Sequence, residues 1–75
     1  MKPKDKKIIE DAQRTSTPIF VLVAKDECSV NALRAYKEEC IASGCYPDHI
    51  SGIEQRINEF EDWQETNKDK VSLPD

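Results

Sequence analysis

The sequence predicts a mainly helical (α+β) protein that assembles into a homo-oligomer: a short β segment followed by an antiparallel hairpin of two helices. Three observations support this class. Ile19–Ala24 is an uninterrupted apolar run, two amphipathic stretches follow it, and the chain has only 75 residues. A core of this size contributes no more than about 3–5 kcal/mol of net stability. We expect one domain at residues 18–75, with an extended tail from about residue 67, after a basic arm at residues 1–17.

The basic arm contains five lysine or arginine residues before position 15. Ile8, Ile9 and Ala12 would form one apolar edge if the arm became helical. Isolated helices shorter than about 12–15 residues are marginal in water. We therefore predict an arm that is frayed at its start, with room for a short helix.

The apolar run predicts a short buried strand. Pro18 favours an extended conformation at Thr17, and the run is rich in β-branched residues and too short for a helix. A single strand leaves its N–H and C=O groups without partners. Either the tail at residues 70–73 or another subunit must then supply the second strand.

The first hairpin helix begins near Asp26 or Ser29, which are competing N-cap candidates. Gly44 is suited to end it in the left-handed conformation. The apolar side of this helix consists of Val30, Leu33, Tyr36, Cys40 and Ile41.

The second hairpin helix is expected from Asp48 to about Glu65, with Pro47 at its start. Its apolar positions follow the a/d spacing of a heptad pattern and end in a polar residue. These positions are Ile50, Ile53, Ile57, Phe60 and Gln64. One short partner helix cannot cover the whole pattern, which again favours a second subunit.

The three cysteines cannot all pair within one chain, which favours reduced thiols in a cytoplasm. A zinc site formed by Cys40, Cys45 and His49, with Cys28 as a distant fourth ligand, is the alternative. Zinc ligands commonly come in closely spaced pairs, and Cys40 lies on an apolar stripe where a free thiol behaves as a small hydrophobe. We predict no metal and no cofactor.

The charge balance is 15 acidic against 11 basic residues, or net −4. Proteins that coat nucleic acid carry a basic excess, so we expect no direct nucleic-acid partner. The sequence has no apolar run of the ~18–20 residues that a membrane span needs and no signal-peptide pattern. We expect no membrane partner.

Catalytic motifs such as a glycine-rich phosphate loop or a nucleophile elbow are absent from the sequence, which predicts a protein that is not an enzyme. One stripe on the second hairpin helix contains a glycine that packing alone does not explain. It consists of His49, Gly52, Arg56, Glu59 and Trp63. A helical glycine costs about 1 kcal/mol relative to alanine, but it lets a ligand or another backbone approach. The alternative is an ordinary helix crossing, with Arg56 in a surface ion pair and Trp63 capping the core.

The imidazole and guanidinium beside this glycine suit a phosphate-bearing ligand such as a nucleotide. Tyr36 or Tyr46 would supply a stacking face. Lys25, at the junction of the strand and the first hairpin helix, is a further candidate contact because helix starts bind anions.

Several stretches resemble a group of small uncharacterised proteins encoded by bacteriophages and prophages. They are Pro18–Asp26, Leu33–Tyr36, Glu59–Gln64 and Lys70–Asp75. The resemblance implies the cytoplasm of an infected bacterium, where small accessory proteins counter host defence. We therefore expect a non-enzymatic phage protein that sequesters a small nucleotide signal in a homo-oligomer. The alternatives are an acidic inhibitor of a host defence or nucleic-acid-binding protein, and a structural or regulatory phage protein without a ligand.

Overall fold

Three α-helices make up most of the chain in the computed structural model, which describes residues 2–74. They are α1 (Pro3–Thr15), α2 (Ser29–Ala42) and α3 (Pro47–Thr66), and a single 3-10 turn, Lys68–Lys70, follows α3. The prediction of a mainly helical protein is confirmed. Within these described residues, no helix is both long enough and apolar enough to cross a bilayer.

Helix α1 occupies nearly the whole basic arm. The sequence predicted an arm frayed at its start with room for a short helix, so α1 is longer than expected. Pro3 provides the preset backbone of the first turn. Ser16 adopts a left-handed conformation with φ of 56°, and the N–H of Thr17 donates to the carbonyl of Ala12 at 2.9 Å. Ala12 is the buried apolar residue of this helix.

The predicted buried strand at residues 19–24 is absent from the described chain. The segment is neither a helix nor a paired strand, Ala24 belongs to a turn, and Phe20 is 86% exposed. The tail does pair with this part of the chain in a parallel direction, but beyond the apolar run. The N–H of Glu27 donates to the carbonyl of Ser72 at 2.8 Å, and the N–H of Ser72 donates to the carbonyl of Lys25 at 3.0 Å. Strand formation needs a neighbouring extended segment, and the tail reaches only the end of the run.

The α2–α3 pair is the predicted antiparallel hairpin. Two ion pairs between the helices show the antiparallel direction. Lys37 contacts Glu54 at 2.8 Å. Arg34 lies earlier in α2 but contacts Glu61, later in α3, at 2.9 Å. The buried residues of the hairpin core are Val30, Cys40, Ile53 and Ile57, with Leu33, Cys45, Ile50 and Phe60 packed against them. The heptad positions of α3 therefore face α2 as predicted.

The turn between α2 and α3 is a Schellman motif around Gly44, which has φ of +77°. The N–H of Gly44 donates to Ile41 at 3.2 Å and that of Cys45 donates to Cys40 at 2.9 Å. Gly44 therefore ends α2 as predicted. Ile41, placed by the sequence on the apolar side, is half exposed.

The start of α2 differs from the prediction, because neither candidate caps the helix with its side chain. Cys28 occupies the N-cap position without a side-chain bond. The Asp26 carboxylate instead accepts the N–H of Cys28 at 2.7 Å, a local turn typical of aspartate. Ser29 is fully buried in the first helical turn, and its hydroxyl donates to the Asp26 carbonyl at 2.7 Å.

Candidate functional site

A groove of about 420 Å³ lies between α1 and one side of the hairpin. We call it the α1 groove. Four of the six predicted site residues line it together: Tyr36, His49, Gly52 and Arg56. The stripe on α3 results from helical spacing, since residues three and four apart share a face. Tyr36 joins from α2 because the two helices run antiparallel side by side.

Tyr36 and His49 form a polar aromatic pair at one end of the α1 groove. The Tyr36 hydroxyl lies 3.2 Å from Nε2 of His49, and which atom donates depends on the histidine tautomer. The rings meet edge to face, with centroids 6.1 Å apart. The neighbouring Cys40, through a hydrogen bond and its negative charge when ionised, raises the pKa of the Tyr36 hydroxyl above its ordinary value.

Arg56 forms the opposite part of the groove and already has two carboxylate partners. Its guanidinium donates to Asp5 at 2.8 Å and to Glu59 at 3.4 Å. The ion pair expected under the alternative interpretation of the stripe is therefore present. The bond to Asp5 joins residues 51 positions apart and ties the first turn of α1 to the middle of α3.

Gly52 leaves open space in the groove. A Cβ atom built there would meet nothing within 4 Å. Within residues 2–74, the space next to Gly52 is therefore unoccupied. The glycine widens the groove between His49 and Arg56, where a side chain would otherwise project.

Lys2 and Lys4 add two cationic side chains from the start of the chain to the groove lining. The sequence predicts no position for the basic arm relative to the hairpin, so these contacts were missed. Their only sequence signal was the concentration of lysine at residues 2–7. Asp5 and Asp48 also line the groove, so its charge is mixed rather than uniformly positive.

Tyr46 and Lys25 do not line the α1 groove. Tyr46 precedes α3 and is 84% exposed. Lys25 belongs to the loop that pairs with the tail, beside the C-terminal half of α3, where Gln64 donates to Ala24. Gln64 is eight residues beyond Arg56, about 12 Å along the helix axis. Lys25 therefore lies near the C-terminal half of α3, away from the α1 groove.

The cysteines are all free: Cys28 is exposed, Cys45 is partly exposed and Cys40 is buried. The Schellman turn brings Cys40 and Cys45 together, and this contact, with burial, raises the pKa of the Cys45 thiol. Among residues 2–74, no three histidine, cysteine or acidic side chains gather closely enough to hold a metal ion.

A second groove, of about 600 Å³, lies near the far end of the hairpin and was not anticipated. Its acidic side chains are Glu27, Glu61 and Glu65, and Arg34 is bound to one of them at 2.9 Å. Arg34 and Lys68 also line it, but the acidic residues outnumber them. This groove is a less suitable place for a phosphate-bearing ligand than the α1 groove.

Comparison with protein-family models, curated proteins and solved structures gave no match to this chain. The resemblance to phage proteins therefore stays a prediction. Any function must be inferred from the geometry of the grooves.

Proposed function

We propose that this protein binds a small phosphate-bearing ligand, of the size and chemistry of a nucleotide, in the α1 groove without transforming it. The observation that carries the proposal is the convergence of Arg56, His49 and Tyr36 around the open space at Gly52. A guanidinium can bind phosphate through two parallel hydrogen bonds. An aromatic ring beside it offers a stacking face for a base.

The size of the groove supports this class of ligand. Small-molecule sites generally have volumes of about 300–1,000 Å³, and the α1 groove has about 420 Å³. Lys2 and Lys4 would add further contacts to negative charge.

Asp5 competes with the ligand in this proposal. Its carboxylate occupies Arg56 at 2.8 Å, so a phosphate must displace Asp5 or share the guanidinium with it. Both side chains are partly exposed, and exposed ion pairs contribute only about 0–1 kcal/mol. The cost of displacing Asp5 is therefore small compared with a charge-assisted bond of about 1.5–3 kcal/mol to phosphate.

The biological setting of the proposal comes from the resemblance to phage proteins. We propose a non-enzymatic accessory protein in the cytoplasm of an infected bacterium, where homo-oligomers of this chain sequester a nucleotide signal of host defence. Sequestration requires tight binding and no turnover, which is consistent with a groove built from binding groups.

The first experiment is a thermal unfolding screen against mono- and dinucleotides, linear and cyclic. A ligand present at a hundred times its dissociation constant adds about 2.7 kcal/mol of stability. A hit is then titrated by calorimetry against Arg56→Ala, which we expect to weaken binding more than tenfold, and against Gly52→Leu, which fills the groove.

The matched control is Arg34→Ala. This variant loses the same charge and a similar exposed ion pair, but Arg34 does not line the α1 groove. Equal weakening by Arg56→Ala and Arg34→Ala, or unchanged affinity in Arg56→Ala and Gly52→Leu, would contradict the proposal.

The acidic groove favours a second candidate function, the blocking of a basic surface on a host protein. Glu27, Glu61 and Glu65 lie together there, and such a cluster complements lysine and arginine side chains. This function predicts no stabilisation by any nucleotide. It also predicts salt-sensitive binding to a basic partner that Glu61→Lys weakens and Arg56→Ala leaves unchanged.

A further inference from the structure

A highly exposed apolar surface of the described chain is the irregular segment at residues 19–23, which we call the apolar segment. Phe20 is 86% exposed and Val21 is 63% exposed, while Ile19 and Val23 are each about half exposed. Ile8 of α1 lines the same surface depression and is also half exposed. Contiguous apolar patches of this kind on small proteins generally mark interaction sites.

The backbone of the apolar segment also lacks partners. Among residues 2–74, no hydrogen bond involves the N–H or C=O groups of residues 19–22. Pro18 precedes this stretch, and the Val23 carbonyl after it accepts the N–H of Asp26 at 3.1 Å. These backbone groups therefore have no partner within the described chain and are available to pair with an added strand.

We propose that a second copy of this chain covers the apolar segment, and that the two segments pair antiparallel about a twofold axis near Val21. Such an interface is self-complementary, since the same residues face each other from both copies. Ile19 of each copy lies opposite Val23 of the other. The strand predicted from the sequence is then completed only in the dimer.

The charge distribution favours a second copy over a foreign protein. Ten consecutive residues, 15–24, carry no charge, although 35% of the whole chain is charged. Two copies with a net charge of −4 repel each other over most of their surfaces. The uncharged residues 15–24 add no such repulsion. A neutral segment rich in β-branched residues pairs with itself without needing complementary charges.

The area available is consistent with a small dimer. The exposed side chains of the apolar segment and Ile8 present roughly 500 Å² of apolar surface, given that a large aromatic alone contributes about 150–250 Å². Stable interfaces bury about 800 Å² from each partner, which the paired backbones and the flanking surface of α1 would supply.

This inference depends on the homo-oligomer in the proposed function but not on its ligand. The apolar segment does not line the α1 groove. A nucleotide titration with Arg56→Ala tests the groove, whereas the mass of the protein in solution tests the interface. The two proposals can therefore fail separately.

The experiment is light scattering of eluted protein at about 100 µM, a concentration at which dimers of ordinary affinity are populated. We expect twice the chain mass of 8.6 kDa for the full chain. Val21→Asp places two carboxylates together at the twofold axis and should raise the dimer dissociation constant at least a hundredfold. Val21→Thr keeps the β-branched shape and should stay a dimer.

Ile41→Asp is the matched control, since it makes the same kind of change on another half-exposed apolar residue. It should not alter the mass. If Val21→Asp loses helical circular dichroism, Phe20→Lys replaces it, because a side chain that is 86% exposed is not needed for the monomer fold. A full chain of 8.6 kDa, or a folded variant that keeps the full-chain mass, would overturn the proposal.

Discussion

The α2–α3 hairpin and the N-terminal region, residues 2–24, are held in different ways. Most of the buried apolar residues lie in the hairpin, and they form one cluster. In the N-terminal region, Ala12 is the buried apolar residue, and Asp5 anchors α1 to α3 through an exposed ion pair. The same short chain thus combines a packed hairpin with a loosely attached region whose surfaces remain available.

This difference separates the source of stability from the surfaces proposed for function. Packing stabilises the hairpin because apolar burial contributes about 25 cal/mol per Å². The N-terminal region contributes little burial, but it completes the α1 groove and presents the apolar segment. Both proposed interactions involve this region, as expected for elements of low local stability.

The largest effect is expected from a charge in the hairpin core. Ile53→Asp places a carboxylate at a position that is 6% exposed, and burying an unpaired charge costs several kcal/mol. We expect the protein to unfold. Far-ultraviolet circular dichroism and urea denaturation measure this, with Asn58→Asp on the exposed face of α3 as the control. A wild-type unfolding curve for Ile53→Asp would contradict the core assignment.

An intermediate effect is expected at the junction of the two regions. Gln64 donates from Nε2 to the carbonyl of Ala24 at 2.9 Å and lies 3.5 Å from the buried hydroxyl of Ser29. Gln64→Ala removes this donor from partly buried acceptors, which costs about 1–3 kcal/mol.

Urea denaturation of Gln64→Ala, compared with Gln55→Ala on the same helix, measures this cost. The Gln55 side chain is exposed, so its removal should change stability by less than about 0.5 kcal/mol. Equal losses in the two variants would mean that Gln64 does not join the regions.

The smallest effect on stability is expected from releasing α1. Asp5→Asn breaks a partly exposed ion pair, so the free energy of unfolding should fall by less than about 1 kcal/mol. Hydrogen exchange should nevertheless accelerate in α1 and remain unchanged in α2 and α3. Glu10→Gln, which alters only a 3.9 Å pair within α1, is the control. Faster exchange throughout the molecule would show that the two regions unfold together.

The helices were predictable because their signals are local. Pro47 at a first turn, Gly44 at a helix end and the spacing of Ile53 and Ile57 each involve residues within one or two turns. Helical spacing alone likewise predicts that the stripe of candidate ligand contacts on α3 shares one face. Helix α1 was underestimated, because propensity predicts a marginal helix for a short basic segment.

The residues that depend on distant partners were not predictable. The apolar run predicted a strand, but strand pairing needs a second segment. Within residues 2–74, the backbone of the tail pairs with residues 25–27, beyond the run. Tyr46 and Lys25 were predicted to join the stripe but do not line the α1 groove. The pairing of Asp5 with Arg56 had no sequence signal, because 51 positions separate the two residues.

The sequence by itself determined the helical class, the hairpin turn, the core face of α3 and the stripe of candidate ligand contacts. These features follow from backbone preferences and helical periodicity, which act over a few residues. Only the tertiary structure decided that α1 closes a groove over that stripe, that Tyr36 rather than Tyr46 joins it together with Lys4, and that the apolar segment stays exposed. Those outcomes depend on which residues far apart in the sequence come into contact, and a pattern read along the sequence does not specify those contacts.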